Sequence, residues 1–121
     1  MKYLFIIFFA IGLAACESFS PPPTLSPEVV RGRAVFESYC SRCHGTVGET
    51  VVVGPSLAGI AVTGGERTAG MDARAYILES IKSPSKFVVD GFEQGVMPED
   101  ISDEISEEDL NGLVEYLMTL K

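Results

Sequence analysis

Residues 40–44 read Cys40-Ser41-Arg42-Cys43-His44, and this pentapeptide constrains the chain more than any other stretch. Because the two cysteines are three residues apart, they lie on one side of a short helical turn. The histidine follows directly, so its ring can reach the space beside both sulfurs. His44 is the only histidine of the 121 residues, and the chain has three cysteines in all. The pattern is the attachment signature of a c-type haem, held by two thioethers and an iron-binding histidine.

Three other kinds of site also use two cysteines at this spacing. A structural zinc site needs four Cys or His ligands, whereas the motif supplies three, and the remaining cysteine, Cys16, lies in a different kind of segment. A thioredoxin-type redox pair normally lies in an alternation of strands and helices, which this sequence does not show. A disulfide between Cys40 and Cys43 would leave His44 without a role. Haem attachment is the interpretation that uses all three side chains.

The first sixteen residues have the layout of an export signal. Lys2 is followed by an apolar run that is shorter than the about 20 residues needed to span a bilayer. The run ends Leu13-Ala14-Ala15-Cys16, which resembles a bacterial lipobox, where small residues precede a cysteine that is lipidated. The sequence therefore predicts a lipoprotein signal peptide over residues 1–15 and lipidation of Cys16. An ordinary signal peptide and an uncleaved anchor are the alternatives.

The segment after Cys16 is predicted to be a tether. Residues 16–27 are rich in proline, and Pro21-Pro22-Pro23 favours an extended, semi-rigid spacer. Two or more acyl chains hold a protein on a membrane more stably than one does. We therefore expect a domain over residues 28–121 that is exported and lipid-anchored to a membrane on its periplasmic or extracytoplasmic side.

The composition is acidic, with a formal net charge of −8 and no tryptophan. This balance argues against a nucleic-acid partner. Residues 99–109 carry seven carboxylates and no lysine or arginine. This run could form a docking face for a basic partner. The alternative, which we prefer, is a solvated loop followed by a negatively charged helix N-terminus, which the helix dipole favours.

Helix signals occur at three places along the chain. Ser26 before Pro27 is typical of a helix start, and this helix is expected to continue to about Tyr39. Gly32 lies inside this helix, although glycine is unfavourable in a helix interior. A glycine at such a position indicates close packing against another element.

The second and third helix signals lie in the C-terminal half. Asp72 is expected to cap a helix over residues 73–82, which Ser83-Pro84 ends. Its apolar spacing predicts that Tyr76, Ile77 and Ile81 face inward. Ser106 is expected to cap a last helix that reaches about Leu120. Strand signals are poor, and residues 45–70 and 85–98 are predicted to be loops. The predicted class is all-α, with three to five helices and long loops.

These elements together resemble a monohaem class I cytochrome c domain over about residues 27–121. Four pieces carry the resemblance, in the order of that family: Gly32-x-x-x-Phe36-x-x-x-Cys40 leading into Cys43-His44, then Gly54-Pro55-x-Leu57, Gly95-Val96-Met97-Pro98, and Leu113-x-x-Tyr116-Leu117. The resemblance implies a small fold wrapped around one covalent haem c. It also implies that Gly32 and Phe36 pack the first helix against the last.

The resemblance assigns roles to single residues around that haem. Cys40 and Cys43 would form the thioethers and His44 would bind the iron. The carbonyl of Pro55 would accept a hydrogen bond from the ring N–H of His44, which fixes the ring and tunes the iron. Leu57 belongs to the same haem-binding segment as Pro55.

The second iron ligand is expected to be a methionine, and three remain once the signal peptide with Met1 is removed. Met97 lies in a loop between a flexible Gly95 and a rigid Pro98, which suits a ligand. Met118 falls in the last predicted helix, where packing is its expected role. Met71, just before the second helix, is the alternative ligand. Ligation by His44 and Met97 fills both axial positions and raises the reduction potential.

These properties favour a one-electron carrier without catalytic activity. We expect it to accept electrons from a quinol-oxidising complex or a dehydrogenase and to pass them to a terminal oxidase or another cytochrome. The stretch from Tyr76 to Met97 is also similar to cytochrome c domains attached to bacterial respiratory oxidases, which favours a respiratory-type chain. Two alternatives stay open. One is a gas- or peroxide-binding sensor with a displaceable Met97, and the other is a fixed haem subunit of a larger redox complex.

Overall fold

The computed structural model describes residues 24–121, so the predicted signal peptide, Cys16 and most of the tether lie outside the described residues. Within 24–121 the chain has four α-helices and no strand. Their bounds are α1 Pro27–Val35, α2 Ile60–Thr63, α3 Ala73–Lys82 and α4 Glu107–Leu117, with a π-helical turn at Phe36–Cys40 and 3₁₀ turns at Gly64–Glu66 and Ile101–Glu104. The predicted all-α class is confirmed.

The first helix starts where the sequence predicts it. The side chain of Ser26 accepts a hydrogen bond from the Val29 N–H at 3.4 Å, and Pro27 occupies the first turn. After Val35 the backbone widens into the π-helical turn, in which the Ser41 N–H donates to the Phe36 carbonyl at 2.9 Å. Such single turns occur frequently at functional sites. Here the turn ends at Cys40, the first residue of the motif.

The caps of α3 and α4 also agree with the prediction. Asp72 accepts from the Ala75 N–H at 2.8 Å, and Ser106 accepts from the Asp109 N–H at 3.1 Å. The predicted end of the last helix at Leu120 is wrong, because α4 ends at Leu117. The final residues tighten into 3₁₀-type bonds, and the Leu120 carbonyl accepts from the Ala61 N–H at 3.1 Å.

The loop predicted over residues 45–70 is interrupted by α2 and the 3₁₀ turn that follows it. Gly59 precedes α2 with a φ of 72°, a conformation that glycine adopts without strain. Ile60, the first residue of α2, is 2% exposed. A four-residue helix between glycines has too few residues for a periodic pattern, so only its packing reveals it.

Helices α1 and α4 form the frame of the domain. They approach so closely that a Cβ placed on Gly32 would lie 1.8 Å from the carbonyl oxygen of Gly112. One turn further on, the rings of Phe36 and Tyr116 are 5.5 Å apart. The expectation that Gly32 and Phe36 pack the first helix against the last is therefore confirmed.

A single apolar cluster lies between this frame and α3. Leu113 of α4 is fully buried, and Ile60 joins the cluster from α2. The other buried members are Val35, Phe36, Tyr76, Ile77, Ile81, Ile105, Leu110, Val114 and Leu117.

The acidic run over residues 99–109 has a structural explanation. Its last three carboxylates occupy the first turn of α4, where the helix dipole favours negative charge. Glu108 pairs with Arg31, and Asp109 accepts from the hydroxyl of Ser106 at 2.8 Å. This arrangement agrees with the preferred interpretation, a charged helix N-terminus after a solvated loop. Within residues 24–121, no helix has the length and apolar character that a membrane crossing requires.

Candidate functional site

A cavity of about 710 Å³ opens beside the apolar cluster. Its volume lies within the range of cofactor pockets, about 300–1,000 Å³. Its walls come from the motif turn, the loop after it, α3 and the loop that joins α3 to the next 3₁₀ turn. All six residues that the sequence assigns to cofactor binding line this cavity: Cys40, Cys43, His44, Pro55, Leu57 and Met97. Residues separated by up to 57 positions in the chain are thus brought to one site.

The two motif cysteines lie on a tight turn. The backbone N–H groups of Cys43 and His44 both donate to the Cys40 carbonyl, each at 3.0 Å. Both cysteines are half-buried free thiols, so the disulfide alternative does not apply to this structure. The turn therefore presents two free sulfurs and one imidazole to the same cavity.

The environment of the motif also argues against the other two alternatives, a thioredoxin-type redox pair and a zinc site. Burial, followed by repulsion from Cys43, raises the pKa of the Cys40 thiol to about 11. A thioredoxin-type pair works through a thiol whose pKa is lowered, so this environment argues against that chemistry. Nor do three His, Cys, Asp or Glu side chains converge as metal ligands anywhere in the part of the chain that the structure describes. A zinc site therefore does not fit.

The imidazole of His44 is held in one orientation. Its Nδ1–H donates to the Pro55 carbonyl at 2.8 Å, because a carbonyl oxygen only accepts. The proton on Nδ1 leaves the lone pair on Nε2 for a metal. This is the contact that the family resemblance implies for these two residues.

The loop beyond the motif is shaped around that ring. A Cβ placed on Gly54 would lie 2.5 Å from Cε1 of His44, so only a residue without a side chain fits there. The Gly54 N–H donates to the Cys43 carbonyl at 2.8 Å, and the Leu57 N–H donates to the Gly45 carbonyl at the same distance. These bonds fasten the Pro55 segment to the motif turn.

Met97 reaches the cavity from the loop over residues 85–98. The Ser85 hydroxyl donates to the Glu99 carboxylate and closes this loop at its base. Gly95 turns the chain with a φ of 79°, two residues before Met97. Of the three methionines in residues 24–121, only Met97 lines the cavity. The other two, Met71 and Met118, pack against the apolar cluster.

The comparison with known families agrees with this geometry. Residues 27–117 match the sequence family described as cytochrome c oxidase, cbb3-type, subunit III. The chain belongs to this family. The match includes all four helices and makes the chain a class I cytochrome c domain, as the sequence motifs indicate. None of the curated proteins compared with the chain matches it.

Membership of the cytochrome c family implies a covalently bound haem c and haem-based electron transfer between redox partners. Domains of this type are typically extracytoplasmic. The residues present fit the haem. Two free thiols lie beside a histidine whose tautomer suits iron, and the surrounding cavity has mostly apolar walls.

The cytochrome also has polar cavity residues that sequence reasoning missed. A guanidinium nitrogen of Arg67 lies 3.3 Å from the hydroxyl oxygen of Tyr76, to which it donates, and the guanidinium carbon lies 5.5 Å from the centre of that ring. Arg67 is the single Lys or Arg between Arg42 and Arg74, a signal that could have identified it. Ser80 lines the same cavity. The inward position of Tyr76 was predicted, but its link to Arg67 was not.

Exposed valines surround the mouth of the cavity. Val51 and Val53 lie on the loop after the motif, and Val88 and Val96 lie on the loop that carries Met97. We call these four residues the valine rim. Their side chains line the cavity yet are 40–59% exposed. The cytochrome therefore has an apolar surface directly at the opening of its cofactor site.

Proposed function

We propose that this cytochrome is a membrane-tethered one-electron carrier in which His44 and Met97 are the two axial ligands of a single haem c. The observation that carries the proposal is that the oriented ring of His44 and the loop residue Met97 line one cavity of about 710 Å³. The bound haem supplies an iron that cycles between Fe(II) and Fe(III). The residues of the chain hold it, orient it and set its potential.

Cys40 and Cys43 fasten the haem through thioethers in this proposal. The bond to the Pro55 carbonyl fixes the His44 ring, so that Nε2 would be free to bind the iron, and Leu57 contributes to the apolar wall. Met97 would supply the second iron ligand. Its thioether stabilises ferrous iron and raises the potential relative to two nitrogen ligands. With both ligands in place in both oxidation states, little rearrangement would accompany each electron.

Arg67 and Tyr76 provide a polar end to a cavity that is otherwise mostly apolar. We assign to them the carboxylates of the haem, since guanidinium and carboxylate form strong charge-assisted hydrogen bonds. Burying a carboxylate without such a partner is unfavourable. The Arg67–Tyr76 hydrogen bond at 3.3 Å already holds the two groups side by side.

Electrons enter and leave at the mouth of the cavity. The valine rim supplies apolar contact area there, which suits a short-lived complex with a redox protein. The donor in this proposal is a quinol-oxidising complex or a dehydrogenase. The acceptor is a terminal oxidase or another cytochrome.

A second function, a fixed haem subunit of a larger complex, is favoured by one observation. The family description names a subunit of an oxidase. Gel filtration of the native protein, extracted with mild detergent, separates the two possibilities. A carrier elutes at the size of the single chain with its detergent, whereas a fixed subunit elutes in a stable complex of high mass.

The membrane tether is proposed from the sequence, since Cys16 lies outside the described residues. Replacing Cys16 with serine removes the lipidation site and should release the haem-loaded protein from the membrane fraction. A variant that stays on the membrane would point to an uncleaved anchor or to a protein partner.

Carbon monoxide tests the carrier against the gas-sensor alternative. The ferrous protein at neutral pH should bind carbon monoxide slowly or not at all, because Met97 occupies the axial position. Rapid binding would contradict six-coordinate ligation and would support a sensor with a displaceable methionine.

A further inference from the structure

Negative charge accumulates on the loop that carries Met97 and on the 3₁₀ turn after it. Residues 87–120 contain ten carboxylates and no lysine or arginine. The three glutamates of α4 all pair with basic side chains of α1 or α3. Five exposed carboxylates before α4 form no ion pair in the part of the chain that the structure describes: Asp90, Glu93, Asp100, Asp103 and Glu104. We call these five residues the acidic border.

The first part of the acidic border lies beside the valine rim. Glu93 itself lines the cavity, and in the chain it stands between Val88 and Val96 of the rim. Asp90 follows two residues after Val88. Apolar and negatively charged side chains thus share the same exposed loop at the opening of the cavity.

The last part of the acidic border reaches the mouth through Tyr39. The Tyr39 hydroxyl donates to the carbonyl of Glu104 at 3.4 Å, and Tyr39 lines the cavity. This hydrogen bond joins the 3₁₀ turn at Ile101–Glu104 to the π-helical turn that ends at Cys40. The acidic border therefore extends from the Met97 loop to the start of the motif.

The basic residues of the cavity do not neutralise this border. Among the described residues, Arg42 and Arg67 are the basic ones that line the cavity, and neither pairs with a carboxylate of the border. Arg67 donates to Tyr76 and is the proposed partner of the haem carboxylates. The mouth consequently combines apolar contact area with a net negative border.

Charge complementarity indicates which kind of partner fits this surface. A second copy of the chain, with a formal net charge of −8, would bring like charges together. A surface on which lysines and arginines surround an apolar patch would match both the valine rim and the acidic border. Of the two, the basic surface is the better match.

We propose that the valine rim and the acidic border together form the docking surface for a redox protein whose own cofactor opening is surrounded by lysine and arginine. This inference rests on the proposed electron transfer at the mouth. The rim excludes water from the contact, and the border accelerates the encounter by an attraction that salt screens. One electron crosses the contact, so that one protein is oxidised and the other is reduced by one electron.

Two small redox reagents of opposite charge test the border on the full haem-loaded chain. Hexaammineruthenium(II), a cation, reduces the ferric form, and hexacyanoferrate(III), an anion, oxidises the ferrous form. At an ionic strength of about 0.1 M, charge effects extend about 10 Å. Under these conditions Glu93→Gln should slow the reaction with the cation about twofold and accelerate the reaction with the anion by a similar factor.

Two control variants separate the position of the charge from its amount. Glu93→Asp keeps the carboxylate and should stay near the wild type. Glu28→Gln changes the net charge by the same amount as Glu93→Gln, but Glu28 is exposed at the start of α1 and does not line the cavity. Its rates with both reagents should also stay near the wild type.

Decalysine, a peptide made of lysine alone, tests contact with a basic surface. In nuclear magnetic resonance spectra of the ferrous protein, it should shift the backbone signals of residues 88–104, and added salt should abolish the shifts. Shifts confined to the start of α4, or equal rate changes in Glu93→Gln and Glu28→Gln, would contradict the docking surface. If neither reagent exchanges electrons with the protein, the proposed carrier function fails as well.

Discussion

Gly32 of α1 and Gly112 of α4 bring their helices into backbone contact. A Cβ on Gly32 would lie 1.8 Å from the Gly112 carbonyl oxygen, and a Cβ on Gly112 would lie 3.0 Å from the carbonyl oxygen of Glu28. This crossing lies two turns before Cys40. The crossing fixes the direction of α1 and therefore the position of the Cys40–His44 motif at the cavity.

Gly32→Ala tests the crossing. Alanine favours a helix interior over glycine by about 1 kcal/mol, so an unconstrained site would be stabilised. Here the added methyl meets backbone atoms that cannot move aside, and we expect the free energy of unfolding to fall by about 1–3 kcal/mol. Denaturant unfolding measures this free energy. Ala34→Gly on the exposed face of α1 is the control for propensity alone, and a stabilised Gly32→Ala protein would contradict the close crossing.

Gly54→Ala tests the close packing of the loop against the His44 ring. A Cβ there would lie 2.5 Å from the Cε1 atom of His44, so the ring has to move and its hydrogen bond to Pro55 weakens. We expect a changed reduction potential and a lower yield of haem-loaded protein, measured by redox titration and haem content. Gly48→Ala is the control, because that position has a φ of +62° but open space around it. Gly54 itself has no positive φ, so equal losses in the two variants would contradict a specific clash with the His44 ring.

Met97→Ala tests the second iron ligand. Loss of the sulfur opens one axial position, so the long-wavelength band of the oxidised form should disappear and the ferrous form should bind carbon monoxide rapidly. Met71→Ala and Met118→Ala remove side chains that pack against the apolar cluster. In these controls the free energy of unfolding should fall by at most about 5 kcal/mol, and the long-wavelength band should remain. Loss of the band in Met71→Ala instead would assign the ligand to Met71.

Charges on the valine rim test the proposed site of electron exchange. Val51→Asp and Val96→Asp place a carboxylate at the mouth of the cavity, where two copies of the protein must meet to exchange electrons. We expect the self-exchange rate, measured by nuclear magnetic resonance line broadening in mixed oxidation states, to fall roughly tenfold. Val62→Asp alters an equally exposed valine, 55% accessible, that does not line the cavity. A similar fall in Val62→Asp would mean that net charge, not the rim, controls the rate.

The helices with strong caps could be predicted from sequence nearly to the residue. Asp72 and Ser83-Pro84 bound α3, and Ser26-Pro27 starts α1, because caps and proline act through local backbone chemistry. The four-residue helix α2 has no such signals. The end of α4 was missed because Leu120 is held by the Ala61 N–H, a contact between distant parts of the chain.

The candidate site, too, could be predicted from the sequence only in part. The motif and its family resemblance selected six residues that line one cavity, and their roles stay predictions. Periodicity placed Tyr76 on an inward face, yet it could not show that Arg67 lies beside it or that Ser80 is buried without a partner. Likewise, Gly32 indicated close packing, but the opposing Gly112 emerges only from the way the helices cross. Features that depend on contacts between distant residues become visible only in the folded structure.

The visible absorption spectrum of the purified full chain, recorded oxidised and reduced, tests the central claim most directly. With haem c bound by Cys40 and Cys43 and ligated by His44 and Met97, the reduced form should show a sharp α-band. The oxidised form should show the weak long-wavelength band of methionine ligation. A reduced spectrum without the sharp α-band, or an oxidised spectrum without the long-wavelength band, would contradict the His44–Met97 ligation proposed for this cytochrome.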